Sequence, residues 1–352
     1  MRVISVVGAR PQFVKLAPMA VALRDAGVEH RIVHTGQHYD ERMSGAFFAD
    51  LVIPEPDRNL EVGSASHGVQ TGEMMIRLEP VLQELAPDWV LTYGDTNSTL
   101  AAAIVAVKLH LPLAHLEAGL RSFNRRMPEE HNRVLTDHAS DLLLAPTELA
   151  AHHLASEGLA ARTELVGDVM ADVCLRVARD VGDPSLPDGV AVDEPYIVST
   201  VHRAENTDDP DRLGAIVSAL RSQSAPVILA AHPRLVARCE EFGITLTGGA
   251  LRAVAPYRYP EMIAAINSAA SVVTDSGGLQ KEAYLVRTPC TTLRTETEWV
   301  ETLETGWNRL DPDLSNQSSW SDPPVPDRHP DLYGDGQAAG RVVDALERRG
   351  VR

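Results

Sequence analysis

Aromatic residues are scarce: Phe, Trp and Tyr together make up 5% of the 352 residues, so any core has to be packed from Ala, Val and Leu. Cysteine is nearly missing too. Cys174, Cys239 and Cys290 are widely spaced and odd in number, which excludes a disulfide framework and a cysteine-built metal cluster. No run of about 18 apolar residues occurs, which excludes a membrane-spanning helix. Met1 leads into RVISVVG with neither a basic n-region nor a long apolar h-region, so a soluble, cytoplasmic protein is expected. Positive charge is in deficit, with 32 Lys and Arg against 49 Asp and Glu and a net charge of −17. A nucleic-acid binder needs a basic face to neutralise phosphates, so that class is excluded, while a local basic pocket for one small anion is not.

What is present is an alternation of short apolar runs and helical periodicities. RVISVVG reads as a strand, and KLAPMAVALRDAG as a helix stopped by Gly. EHRIVHTG is a strand, with helices following near Tyr39–Asp50 and Gly72–Leu85. DWVLTYGD, LPLAHLEAG and DLLLAPT are further strands, separated by the helices TLAAAIVAVKLH and PEEHNRVLTDHAS. The pattern restarts at PYIVSTVHR and continues through PVILAAH, LRAVAPY and SVVTDSGG. Such alternation predicts parallel sheets covered by helices on both faces. The expected fold is therefore α/β, with two Rossmann-like doubly wound domains facing a cleft. A length of 352 residues fits two domains. The boundaries expected are 1–170 and 171–336, with a Pro-, Gly- and Asp-rich join in Gly182–Pro195. The terminal helix 337–350 is a candidate to pack back on the first domain. Asp311–Gly336 reads as an extended surface loop.

Open parallel sheets bind ligands beyond the carboxyl ends of their strands, and Arg10, Asp95, Glu117, His202, His232 and Ser276 each follow an apolar strand-like run. That placement suggests one ligand in the cleft between the domains. GARPQFVK puts Arg10 and Lys15 near a helix start, where a basic group can meet an anion; it is neither a Walker loop nor GxGxxG. Read alone, it is equally a solvent-facing turn. In TDSGG, Gly277 and Gly278 let backbone N–H groups approach a phosphate, Ser276 adds a hydroxyl, and Glu282 lies about one helical turn on, where it could bind ribose hydroxyls. His202 in THRAEN could stabilise or protonate a leaving phosphate. Asp95, Glu117, and Glu129 with Glu130 offer carboxylates, although Asp95 is also an ordinary N-cap and acidic residues suit a first helical turn anyway. The histidines show no HExxH-type spacing, so no metal is assigned.

Taken in order, GARPQFVKLAP, TGQHYDERMS, YGDTNSTLAAA, HLEAGLR, MPEEHNR, THRAEN, TDSGGLQKEA and LRTETEWVETLETGWN resemble the non-hydrolysing UDP-N-acetylglucosamine 2-epimerases over about 310 residues, up to Leu310. The resemblance implies the two-domain GT-B-like arrangement, a homodimer, a UDP-sugar substrate and no cofactor. It implies that Asp95, Glu117, Glu129 and His202 are catalytic. It gives Arg10 and Lys15 the first-loop basic role, Ser276, Gly277 and Gly278 the diphosphate, Glu282 the ribose, Arg294 the sugar, and Pro256 and Tyr257 the uracil. Arg133 and His232 also fall on family cleft positions. The chemistry implied is elimination of UDP to 2-acetamidoglucal and re-addition after C2 is protonated from the other face. GARPQFVK and TETEWVE depart from the more usual family forms. Both variants recur in the branch acting on UDP-2,3-diacetamido-2,3-dideoxyglucuronic acid, as well as in some ordinary members, which makes that sugar nucleotide the alternative substrate. A GT-B glycosyltransferase is the more distant alternative.

Overall fold

The computed structural model of the chain describes residues 1–37 and 53–350, apart from the side chain of Arg10. The helix expected near Tyr39–Asp50, and most of TGQHYDERMS, lie outside the described residues. The chain divides into two compact units, Met1–Val173 with Tyr333–Arg352, and Cys174–Leu332. The crossover thus falls inside a helix, Val169–Asp180, and the Gly182–Pro195 segment belongs to the second unit.

The first unit contains strands β1 (Arg2–Val7), β2 (Glu29–His34), β3 (Arg58–Asn59), β4 (Trp89–Tyr93), β5 (Leu113–Leu116), β6 (Leu142–Ala145) and β7 (Thr163–Leu165). Their order in the sheet is β3-β2-β1-β4-β5-β6-β7, and every pairing is parallel. β4, β5 and β6 are buried throughout, as expected of strands covered on both faces. The helices are α1 (Arg10–Asp25), α2 (His67–Leu85), α3 (Asn97–Lys108), α4 (Pro128–Ala139), α5 (Glu148–Ser156) and the start of α6 (Val169–Asp180). Alanines of α3 pack with Ile4, Val6, Val90 and Leu113 in one core. Small side chains let the helix lie close to the sheet, which is how a core with few aromatics closes.

The second unit contains β8 (Ile197–Thr200), β9 (Val227–Ala230), β10 (Thr247–Gly248), β11 (Leu251–Val254), β12 (Ser271–Thr274), β13 (Cys290–Thr292) and β14 (Asn308–Leu310). The sheet order is β10-β11-β9-β8-β12-β13-β14. All pairings are parallel except β10 with β11. Its helices are α7 (Ala204–Thr207), α8 (Pro210–Arg221), α9 (Pro233–Phe242), α10 (Tyr259–Ser268), α11 (Gly277–Leu285) and α12 (Val300–Glu304). A last helix, α13 (Ala338–Arg349), packs on α1 in the first unit, where the Trp89 indole donates to the Leu346 carbonyl at 3.2 Å.

Two expectations need correcting. The first helix begins at Arg10 rather than Lys15. Pro11 costs no hydrogen bond in a first turn, and the Gln12 side chain reaches back to accept from Gly8 N and Ala9 N at 2.8 and 3.0 Å. The segment Asp311–Gly336 is more than a surface loop. Trp320 is fully buried in the second unit's core and donates to Asp311 Oδ2 at 3.1 Å.

Candidate active site

In the first unit the site grows from the ends of β4 and β5. Past β4 the chain turns through Gly94, at φ +60°, and presents Asp95. Past β5 it presents Glu117, itself at φ +70°. That is a conformation a side chain adopts only at a cost of order 1 kcal/mol, held by its surroundings. The holders are visible. His115 is fully buried, and its ring nitrogens face Asp137 Oδ1 at 2.6 Å and the Gly94 carbonyl at 2.7 Å. Asp137 also accepts from Gly119 N at 3.1 Å and pairs with Arg121 at 2.7 Å. One buried ionic cluster thus grips the chain on both sides of Glu117.

Glu117 pairs with Lys15, one helical turn into α1, and both side chains are nearly buried. A Cβ at Gly94 would lie 3.1 Å from Lys15 Nζ and 3.2 Å from Glu117 Oε2, so a glycine there makes room for the pair. Burial alone would lower the Lys15 pKa, but the carboxylates of Glu117, Asp95 and Asp168 outweigh it and hold the ammonium above its ordinary value.

Asp95 pairs with Arg133 of α4, whose other arm reaches Glu130 Oε2 at 3.1 Å. The helix cap that Asp95 could have supplied comes from Thr96, whose hydroxyl accepts from Thr99 N. Asp95 is therefore not needed for capping. Glu130 is buried, accepting from Ser122 N at 2.9 Å, Ser122 Oγ at 2.8 Å and Phe123 N at 2.9 Å. Glu129 is exposed, and its side chain has no hydrogen bond or ion pair among the described residues. Arg10 opens α1, and its side chain lies outside the described residues.

In the second unit the site lies past β8 and β12. Ser276 caps α11, its hydroxyl accepting from Leu279 N at 3.4 Å, and Gly277 and Gly278 form the first turn. The preceding Asp275 is fully buried. It accepts from Arg203 N at 2.9 Å and Asn206 Nδ2 at 3.1 Å, and lies 3.1 Å from His202 Nδ1. A carboxylate on Nδ1 fixes the ring and leaves Nε2 for a ligand. Burial pushes Asp275 up, but these partners outweigh it and hold the carboxyl below its ordinary value. Glu282, one turn into α11 beside Tyr259, is pushed by burial up to about 7. Arg294 pairs with Glu298 at 2.7 Å.

The structure thus brings Lys15, Asp95, Glu117 and Arg133 together in one unit, and His202, Ser276, Gly277 and Gly278 in the other. His232 caps α9, its Nδ1 accepting from Arg234 N at 3.2 Å. Pro256 is exposed, and the Tyr257 hydroxyl donates to the Ser185 carbonyl at 3.0 Å. Sequence reasoning did not single out Asp275, Glu298 or the His115–Asp137–Arg121 cluster. Asp275 alone carried a signal, as an acidic residue between an apolar strand and a Gly-Gly turn. Among the described residues no group of three or more His, Cys, Asp or Glu is placed to hold a metal ion, and no helix is long and apolar enough to cross a membrane.

Fold and site together define a two-unit, Rossmann-like α/β protein with carboxylate–cation pairs at adjacent strand ends of one unit and a Ser-Gly-Gly helix start past a strand end of the other. The model of the UDP-N-acetylglucosamine 2-epimerase family matches residues 21–347. A UDP-N-acetylglucosamine 2-epimerase homolog of Methanococcus maripaludis is 44% identical, covering 98% of this chain and 99% of the relative. The UDP-2,3-diacetamido-2,3-dideoxy-D-glucuronate 2-epimerase of Pseudomonas aeruginosa is also 44% identical, with the same coverage. The crystal structure of the Methanocaldococcus jannaschii UDP-GlcNAc 2-epimerase in complex with UDP-GlcNAc and UDP superposes with a TM-score of 0.80 at 38% identity, covering 99% of this chain and 100% of that one. The chain belongs to the UDP-N-acetylglucosamine 2-epimerase family.

Proposed function

We propose that this protein interconverts UDP-N-acetylglucosamine and UDP-N-acetylmannosamine without net hydrolysis. The observation that carries the reading is the pair of carboxylates at adjacent strand ends, Asp95 and Glu117, each held by its own largely buried cation, Arg133 and Lys15. The C2 proton of the sugar has no carbonyl beside it, so removing it alone is prohibitive. A base takes that proton as the C1–O bond breaks. The C–H electron pair forms the C1=C2 double bond of 2-acetamidoglucal, and UDP leaves with the bonding pair of oxygen. In the return step an acid protonates C2 from the opposite face while a UDP oxygen attacks C1. One residue cannot serve both faces, and Asp95, Glu117 and Glu129 are the candidates. Arg10, His202, Ser276, Gly277 and Gly278 suit the charge that develops on the diphosphate. Glu282 and Arg294 are assigned to ribose and sugar, Arg133 and Lys15 to holding the carboxylates, and Pro256 and Tyr257 to the uracil; His232 is kept as a binding residue.

A second substrate, UDP-2,3-diacetamido-2,3-dideoxyglucuronic acid, is favoured by the Pseudomonas aeruginosa relative and would follow the same chemistry at C2. The test is incubation of each sugar nucleotide in D₂O. Deuterium at C2 together with the second epimer supports the reading and chooses the substrate. Neither exchange nor epimer from both compounds sinks it. Release of free N-acetylmannosamine would instead mark a hydrolysing enzyme. A homodimer in the cytoplasm completes the proposal, and light scattering on the purified chain measures the first part.

A further inference from the structure

The segment Thr297–Trp299 is laced to the start of α11. The Trp299 indole donates to the Gly277 carbonyl at 2.8 Å, Thr297 Oγ1 to Gln280 Oε1 at 2.6 Å, and Trp299 N to Thr297 Oγ1 at 3.1 Å. Lys281 Nζ stacks 4.4 Å from the centre of the Trp299 ring, within cation–π range. Between these anchors stands Glu298. Its carboxylate lies so close to Gly277 that a Cβ there would collide with Oε1 and stand 3.2 Å from Cδ. Oε2 takes Arg294 at 2.7 Å, and Oε1 has Arg203 at 3.9 Å. An anion belonging to the chain itself therefore sits against the glycine turn, supported by two arginines. The backbone around it is pinned, while the side chain is 48% exposed.

We propose that Glu298 is a built-in competitor for the anion site. Its carboxylate holds the place beside Gly277 and the charge of Arg294 while no sugar nucleotide is bound, and turns out when the diphosphate arrives. The inference rests on the assignment of Gly277, Gly278 and Arg294 to the UDP-sugar. Its consequence is weakened ground-state binding. Tight holding of the UDP-sugar lowers KM without speeding the chemical step, so a carboxylate that competes with substrate also keeps product from lingering.

Binding of UDP, inorganic pyrophosphate and uridine to the wild-type chain, Glu298→Gln and Glu298→Ala, measured by calorimetry, tests this. Loss of the competing ion pair should tighten UDP and pyrophosphate about three- to fivefold in both variants. Uridine, which carries no phosphate, should change by less than about twofold on the same scale. Weaker or unchanged UDP binding in both variants, with wild-type binding intact, would mean that Glu298 orients Arg294 or does nothing, and overturns the competitor role alone. Equal tightening of uridine overturns it too, because the effect would then not be at the anion site. No binding of UDP by any of the three proteins removes the diphosphate assignment and this inference with it.

Discussion

Lys15→Met removes one charge of the Lys15–Glu117 pair while keeping most of the apolar stem. The two side chains are 12% and 13% exposed, so the remaining carboxylate faces a site that water barely reaches. Breaking a buried pair by deleting one partner costs about 3–5 kcal/mol. Residual exposure argues for the lower part of that range, about 3 kcal/mol. A unit of this size shifts its melting temperature by about 2–4 °C per kcal/mol, so a loss of roughly 6–12 °C is expected. Glu117→Gln should lose a similar amount by stranding the ammonium. The double variant should recover part of it, because no charge is then left without a partner and only the Gln amide still needs one. Calorimetric melts of the four proteins give the coupling energy directly. The C2 exchange assay should read differently: all three variants lose exchange, including the one that regains stability. Single variants that melt within about 1 °C of wild type, or a double variant that melts at the sum of the two losses, would refute the pairing argument. The pH dependence has a definite sign. The folded Lys15 pKa is raised above its ordinary value, so its contribution is fully present below the unfolded pKa and is lost as pH rises through the folded one. Lys15→Met should flatten that alkaline loss.

Asp275→Asn should lower kcat by about 10- to 100-fold with UDP affinity nearly unchanged, because it frees the His202 ring rather than removing a ligand contact; a loss confined to KM would contradict this. The Asp275 carboxyl is held below its ordinary value, so its stabilisation is present above the unfolded pKa and lost as pH falls through the folded one, and the Asn variant should lack that acid limb in a melt series. Glu130→Ala should cost about 2–4 kcal/mol in a denaturant titration, since it strands the Ser122 and Phe123 N–H groups and one arm of Arg133; a cost under about 0.5 kcal/mol would show that water satisfies them. Glu282, pushed up to about 7, binds a proton in the folded state that the unfolded chain has lost, so its contribution falls as pH rises from its ordinary pKa to 7. Glu282→Gln should therefore raise the melting temperature at pH 8 while weakening UDP binding, and a variant that is less stable at pH 8 would refute the burial argument.

The strands that carry the site were readable from local pattern, because a parallel sheet buries both faces and leaves near-continuous apolar runs such as WVLTY and LLLA. β3, β7, β10, β13 and β14 were not readable. They are two or three residues long, too short for periodicity to register. The early start of α1 depended on a single side chain, Gln12, turning back to cap two N–H groups. The burial of Trp320 under an irregular segment depended on a partner, Asp311, and on a core contributed by distant strands.

The sequence by itself determined the class of fold and which polar residues end up at strand termini, since both follow from the order of apolar and polar residues along the chain. Only the tertiary structure decided which charges meet. Lys15 and Glu117 are 102 positions apart, and His202 and Asp275 are 73 apart. Side chains so distant in the chain become partners when parallel strands place their carboxyl ends side by side. The same charge run that carries Glu129 and Glu130 in adjacent positions sends one outward and buries the other under four donors. That division depends on where a helix face points, which no local spacing specifies without the sheet it packs on.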